Sequence, residues 1–129
     1  VITLIGDGEC NEGCVWETAL VASNLKLGNL CVIIDNNRSA NQVLPVPYLR
    51  GKWNCFGWKT YEINGHSEEN ILDTLKEIKF KHNSEPKMII ANTIKGKGVD
   101  FMENNGAWHH RVPTEDELKK IQKELKKDE

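Results

Sequence analysis

At 129 residues the chain is the length of one domain, for which ~100–200 residues is usual, and near that size a core closes without disulfide or metal staples. Lysine plus arginine number 17 against 19 acidic residues, a net charge of −2, which argues against a polybasic binder of nucleic acid or of an anionic membrane surface. A composition 39% hydrophobic and 28% charged is not that of a disordered chain, and apolar runs of only five residues fall far short of the ~20 that span a bilayer.

The first run, Val1–Ile5, predicts a strand buried on both faces of a parallel sheet. The chain opens in that strand with no initiator methionine and none of the marks of a signal peptide, so it reads as beginning inside a fold. Glu12 to Leu27 predicts a helix, with Trp16, Ala19, Leu20, Ser23 and Leu27 on one face and Gly28-Asn29 as its stop. Leu30–Ile34 predicts a second buried strand. Asn36 to Asn54, with Pro45 and Pro47, reads as irregular, anchored by Tyr48 and Trp53. Trp58–Ile63 predicts a weaker third strand, and Asn64-Gly65-His66 a turn. Ser67 caps a helix running to about His82. Pro86 opens a fourth strand, Lys87–Thr93, followed by a Gly-rich loop from Lys95 to Pro113. Thr114 and Glu117 form a capping box for a last helix, with Leu118, Ile121 and Leu125 inward and five lysines outward. Those lysines alternate with acids, as on a solvated helix face.

This order predicts an α/β fold, a mostly parallel sheet with helices on both faces. Ligands of such sheets bind at the carboxyl ends of the strands, so the loops after Ile5, Ile34 and Thr93 are the candidate site. The cysteines, Cys10, Cys14, Cys31 and Cys55, lack the paired spacing of a zinc site and read as reduced thiols of a cytoplasmic protein. Lys95-Gly96-Lys97-Gly98 lacks the spacing of a nucleotide P-loop; it is either a loop near a ligand or subunit contact or a plain solvated loop.

The loop after the first strand is Gly6-Asp7-Gly8. Its glycines let the backbone approach a ligand closely, and Asp7 offers a carboxylate; the alternative is a tight strand-to-helix turn. The loop after the second strand is Asp35-Asn36-Asn37-Arg38-Ser39, with Asn37 thirty residues beyond Asp7. One strand end, one crossover helix and the next strand end fill that interval, so the two side chains can lie side by side. A carboxylate, an amide oxygen and a backbone carbonyl make part of the hard-oxygen shell that Mg²⁺ takes.

GDG, some thirty residues, then NN resembles the thiamine diphosphate binding motif. Together with NGH and IKGKGVDFMENNGAWHH, the chain resembles transketolase along nearly its whole length, in the part that grips the diphosphate of the cofactor. The resemblance implies that Asp7 and Asn37 ligate Mg²⁺ (or Ca²⁺) by side chain and Ser39 by its carbonyl. It implies cofactor contacts at Gly6 and Gly8, and places Glu12 and Glu17 in a glutamate network at a dimer interface near the aminopyrimidine; by position alone both are also ordinary first-turn helix acids. His109 matches a substrate-contacting histidine, but the family's Trp-His-Gly is here Trp108-His109-His110, so either His109 or His110 serves, or both are exposed loop residues. His66 reads as structural.

The implied reaction is transfer of a two-carbon ketol unit between sugar phosphates, as in the pentose phosphate pathway. The implied partner is an aminopyrimidine-side, carboxyl-terminal subunit or domain in a homo- or hetero-oligomer. The chain is expected to form a single, incomplete diphosphate- and metal-binding domain, without ketol-transfer activity alone, whose first strand has uncovered faces or edges. Two other readings stand beside this one: another thiamine diphosphate enzyme, of the 1-deoxyxylulose-5-phosphate synthase or 2-oxoacid dehydrogenase E1 type, and a non-catalytic cofactor-binding remnant.

Overall fold

The structure, a computed structural model, describes residues 1–80 and 84–126, with the side chains of residues 79 and 80 excepted. It comprises two compact units, Val1–Thr93 and Ile94–Glu129.

In the first unit β1 (Ile2–Gly6), β2 (Cys31–Asn36), β3 (Lys59–Asn64) and β4 (Lys87–Asn92) form one parallel sheet in the order β1-β2-β4-β3. The helices are α1 (Gly13–Asn24), α2 (Leu49–Cys55) and α3 (Glu68–Phe80). From β1 to β2 and from β2 to β3 the chain moves one way across the sheet; from β3 to β4 it returns. Right-handed crossovers therefore put α1 and α2 on one face and α3 on the other.

The register places Ile5, Val32, Ile34, Met88 and Ile90 on the α1 face. There they pack with Ala19 and Ala22 of α1 and with Trp53 and Trp58. The small residues of α1 leave room for three indoles: Trp16 and Trp53 have centroids 5.1 Å apart, and Trp53 and Trp58 4.9 Å. Trp58 Nε1 donates to the Ala19 carbonyl at 2.8 Å, so the indole brings its polar atom into the core already paired. On the other face Tyr61 of β3 donates to Glu77 of α3 at 3.4 Å.

β1 departs from the expected strand buried on both faces. It lies at the sheet edge, and Ile2 and Leu4 are 64% and 69% exposed. The physical reason is position: α3 covers β3 at the opposite side of the sheet. β4, flanked by strands on both sides, is buried from Lys87 to Ala91.

The irregular stretch contains a 3-10 turn, Ser39–Gln42, and α2. Seven residues with Gly51 among them show no helical periodicity; what holds α2 is burial of Trp53, 2% exposed. Ser67 caps α3 as expected, accepting from Asn70 N at 3.2 Å. The expected end of that helix near His82 lies outside the described residues.

The second unit is a loop with a 3-10 turn, Gly106–His109, and α4 (Glu115–Leu125). Gly96 has φ +76°, and a Cβ there would sit 2.6 Å from the Met102 carbonyl oxygen, so only glycine fits. Asn104 N closes the loop onto the Lys95 carbonyl at 3.0 Å. The capping box at Thr114 and Glu117 is present. Only Ile121 of the three expected inward residues is half-buried; Leu118 and Leu125 are 46% and 47% exposed, since one helix against one loop has little to bury against. Of the five lysines, Lys119, Lys120, Lys123 and Lys126 are exposed, and Lys127 lies outside the described residues. No helix among the described residues is long and apolar enough to cross a membrane.

Candidate functional site

β1 and β2 run in register with Gly6 beside Asp35, and Asp7 N donates to the Asp35 carbonyl at 3.1 Å. The ladder thus continues one residue past β1 and fixes Asp7 at the carboxyl edge of the sheet. Its carboxylate is 7% exposed. Oδ1 accepts from Gly8 N at 2.9 Å, capping the 3-10 turn Gly8–Asn11, and Oδ2 accepts from Ala40 N at 3.2 Å. One side chain therefore clasps the turns after β1 and β2. The first turn is held further by Glu9, whose Oε2 accepts from Gly6 N at 2.6 Å. Trp16 Nε1 donates to the Cys10 carbonyl at 2.8 Å and ties that turn to the indole core. Burial, then the charges of Asp7 and Glu9, push the Cys10 thiol up to about 11.

The second turn is organised by Asp35. Its Oδ2 accepts from Asn37 Nδ2 at 2.9 Å, and its Oδ1 accepts from Thr93 Oγ1. Asn37 Oδ1 accepts from Ser39 N at 3.0 Å, across Arg38 in the left-handed region at φ 61°. Beside it Asn36 Nδ2 donates to Asn92 Oδ1 at 2.7 Å, and Asn92 Nδ2 to Glu62 Oε1 at 3.0 Å. A row of side-chain hydrogen bonds thus crosses the carboxyl edge from β2 over β4 to β3.

Asp7, Gly8, Asn37 and Ser39 therefore meet at one edge. Asp35, Ala40 and Thr93 complete that edge, and the sequence pattern alone assigns them no role. The available signal was an acid at the end of a buried strand, directly before the two asparagines. Gly6 and Gly8 do not need positive φ, and a Cβ on Gly8 would meet only Ala40 Cβ at 3.8 Å, an ordinary contact. Glu12 and Glu17 are both exposed, and neither is a first-turn helix acid: Glu12 sits at the N-cap position of α1 without a capping bond, and Glu17 lies in the second turn.

His109 ends the 3-10 turn of the second unit and His110 follows it; both are exposed, with ring centroids 4.4 Å apart. Next to them Arg111 lies over the Trp108 ring, 4.3 Å from its centroid, and pairs with Glu117. Asn64 Oδ1 accepts from His66 N at 3.0 Å, which closes the expected turn. The Gly-rich loop is cross-tied: Lys97 pairs with Glu103 at 3.3 Å, and Gly98 N donates to Glu103 Oε1 at 3.2 Å.

The whole of residues 1–129 matches the family described as transketolase, thiamine diphosphate binding domain. The chain belongs to the transketolase family. One of the two apulose-4-phosphate transketolase chains of Phocaeicola vulgatus is 39% identical over 127 residues, which cover 95% of this chain and 45% of that protein. The 6-deoxy-6-sulfo-D-fructose transketolase subunit of a Clostridium species is 36% identical over 133 residues, 99% of this chain and 48% of that one. Transketolase from Campylobacter jejuni superposes with a TM-score of 0.86 at 27% identity, over 97% of this chain and 20% of that one. The chain spans about half the length of the transketolase subunits it matches. Among the described residues of this transketolase domain no group of three His, Cys, Asp or Glu is gathered for a metal ion, and no Lys, Arg or His pairs with Asp7. The oxygens at the edge are instead those of one carboxylate, one amide and backbone carbonyls, the hard-oxygen class that suits Mg²⁺ or Ca²⁺.

Proposed function

We propose that the chain is the diphosphate- and metal-holding part of a transketolase that moves a two-carbon ketol unit between sugar phosphates. The observation that carries this reading is the Asp7 clasp, a buried carboxylate that joins both turns at the carboxyl edge and has no cationic partner among the described residues. Asp7 and Asn37 by side chain and Ser39 by its carbonyl would hold Mg²⁺ (or Ca²⁺) against the diphosphate. Gly6 and Gly8 would present bare backbone to the phosphates. When bound, thiamine diphosphate supplies the carbanion chemistry by which a carbon–carbon bond is broken and remade. This chain's residues bind and orient: Asp35 positions Asn37, and the bond row to Asn92 and Glu62 stiffens the edge. His109 and His110 would contact substrate.

Relatives named as subunits support a two-chain enzyme. The partner would be a second chain or domain that holds the aminopyrimidine, and Glu12 and Glu17, exposed at and on α1, would meet it. Ketol transfer would require that partner. The test is thiamine diphosphate binding by calorimetry, with Mg²⁺ and with chelator, followed by ketol-transfer assay with the partner added. Binding is expected to need Mg²⁺ and to be lost in Asp7→Ala and Asn37→Ala. Variants that bind as tightly as wild type would overturn the metal assignment; binding without turnover in the reconstituted pair would favour a cofactor-holding remnant.

A further inference from the structure

A polar cavity of about 340 Å³ opens beside the site, in the same unit, on the loop that follows β2. Asn36, Arg38, Asn41, Tyr48, Arg50 and Glu62 contribute to its wall. Asn36 and Arg38 flank Asn37 in the chain, so this cavity adjoins the proposed metal position.

The two arginines enter from opposite ends of the segment 38–50 and face one space. Both are exposed, and among the described residues neither guanidinium takes part in an ion pair, a ring contact or a side-chain hydrogen bond. Arg111, by contrast, is both paired and stacked. One carboxylate, Glu62, lines the same cavity and is engaged by Asn92 Nδ2 at 3.0 Å. Two guanidiniums against one carboxylate leave the cavity cationic. A guanidinium is a planar fork of donors that fits a tetrahedral oxyanion edge-on, and such charge-assisted bonds are about twice as strong as neutral ones. The amides of Asn36 and Asn41 and the carboxylate of Glu62 suit hydroxyl groups on the rest of such a ligand.

We infer that Arg38 and Arg50 form a second oxyanion site, which takes the terminal phosphate or sulfonate of a small hydroxylated molecule. It rests on the function proposed above and deepens it, by naming what holds the anionic end of the sugar. The same chemistry is present in the diphosphate of the cofactor, and the test separates the two sources.

The full chain is titrated by calorimetry with ribose 5-phosphate, ribose, inorganic phosphate, and thiamine diphosphate with Mg²⁺. Wild type is expected to bind the phosphate ester and inorganic phosphate but not ribose. The double variant Arg38→Gln/Arg50→Gln, with wild-type thermal melting, is expected to bind the ester at least about tenfold more weakly, each single variant falling between. Its affinity for thiamine diphosphate should stay within about twofold of wild type. An equal loss for thiamine diphosphate would keep the oxyanion site and assign it to the cofactor. A double variant that binds the ester like wild type, or a wild type that binds neither ester nor phosphate, overturns the site. Ester binding that depends on both arginines in a chain inactive with its partner would leave this site standing and overturn the proposed reaction.

Discussion

Two polar loops in this molecule carry unusual residues, and they are built differently. Around Asp7 and Asn37 the bonds join residues distant in sequence: Ala40 to Asp7 across 33 positions, Asn36 to Asn92 across 56, Thr93 to Asp35 across 58. Around His109 and His110 they are local, from Asn105 to Ala107 across two positions and from Arg111 to Glu117 across six. A loop tied by distant contacts keeps its shape only when the sheet beneath it is formed, and it then holds its ligand groups ready. A locally tied loop is ordered by its own few residues and is free to answer to a ligand. The first suits a fixed anion anchor, the second a substrate contact.

The largest effect that would break this contrast is expected from Asp35→Ala. It strands Asn37 and Thr93 together, so urea unfolding should show a loss of about 2–4 kcal/mol and calorimetry a weaker cofactor. An unchanged midpoint would mean that the edge row contributes nothing. Cys10 comes next. Its raised thiol should react with iodoacetamide at pH 8 about 100-fold more slowly than the exposed Cys14 and Cys55. The sign for stability follows from the same shift: the folded state disfavours the thiolate, so stability is complete below the ordinary value of 9.0 and falls as pH rises toward about 11. Gly8→Ala should fold normally, since its Cβ meets only an ordinary contact at 3.8 Å, yet bind thiamine diphosphate about tenfold more weakly. Equal affinity would remove Gly8 from the phosphate cradle. Thr114→Ala removes the capping oxygen of α4 and should cost about 1 kcal/mol, seen as faster amide exchange in α4 with the first unit unaffected. Smallest of all, His109→Ala and His110→Ala should alter stability by less than about 0.5 kcal/mol while changing the KM for sugar phosphate in the reconstituted enzyme.

Much of this was legible from residues alone, because buried parallel strands and capped helices announce themselves. β2, β4, the Ser67 cap and the Thr114 capping box depend on local chemistry and stand where the pattern put them. Asp7 and Asn37 were legible as a pair because the strand–helix–strand interval sets the distance between strand ends. α2 was not legible: a seven-residue helix with an internal glycine is held by the indole of Trp53, a tertiary effect that no local period carries. Asp35 was hidden for a similar reason, since its partner Thr93 lies at the end of a strand 58 positions away. The open flank of β1 required the strand order, which periodicity does not give.

That flank has a consequence for handling the protein. β1 offers one free row of backbone donors and acceptors, with Ile2 and Leu4 standing exposed beside it. Such an edge is a template: any extended segment that reaches it, from another copy or from a partner, can extend the sheet. The apparent size of the protein as a function of concentration is therefore a direct gauge of whether that seam is covered, and Leu4→Lys would be the simplest way to close it.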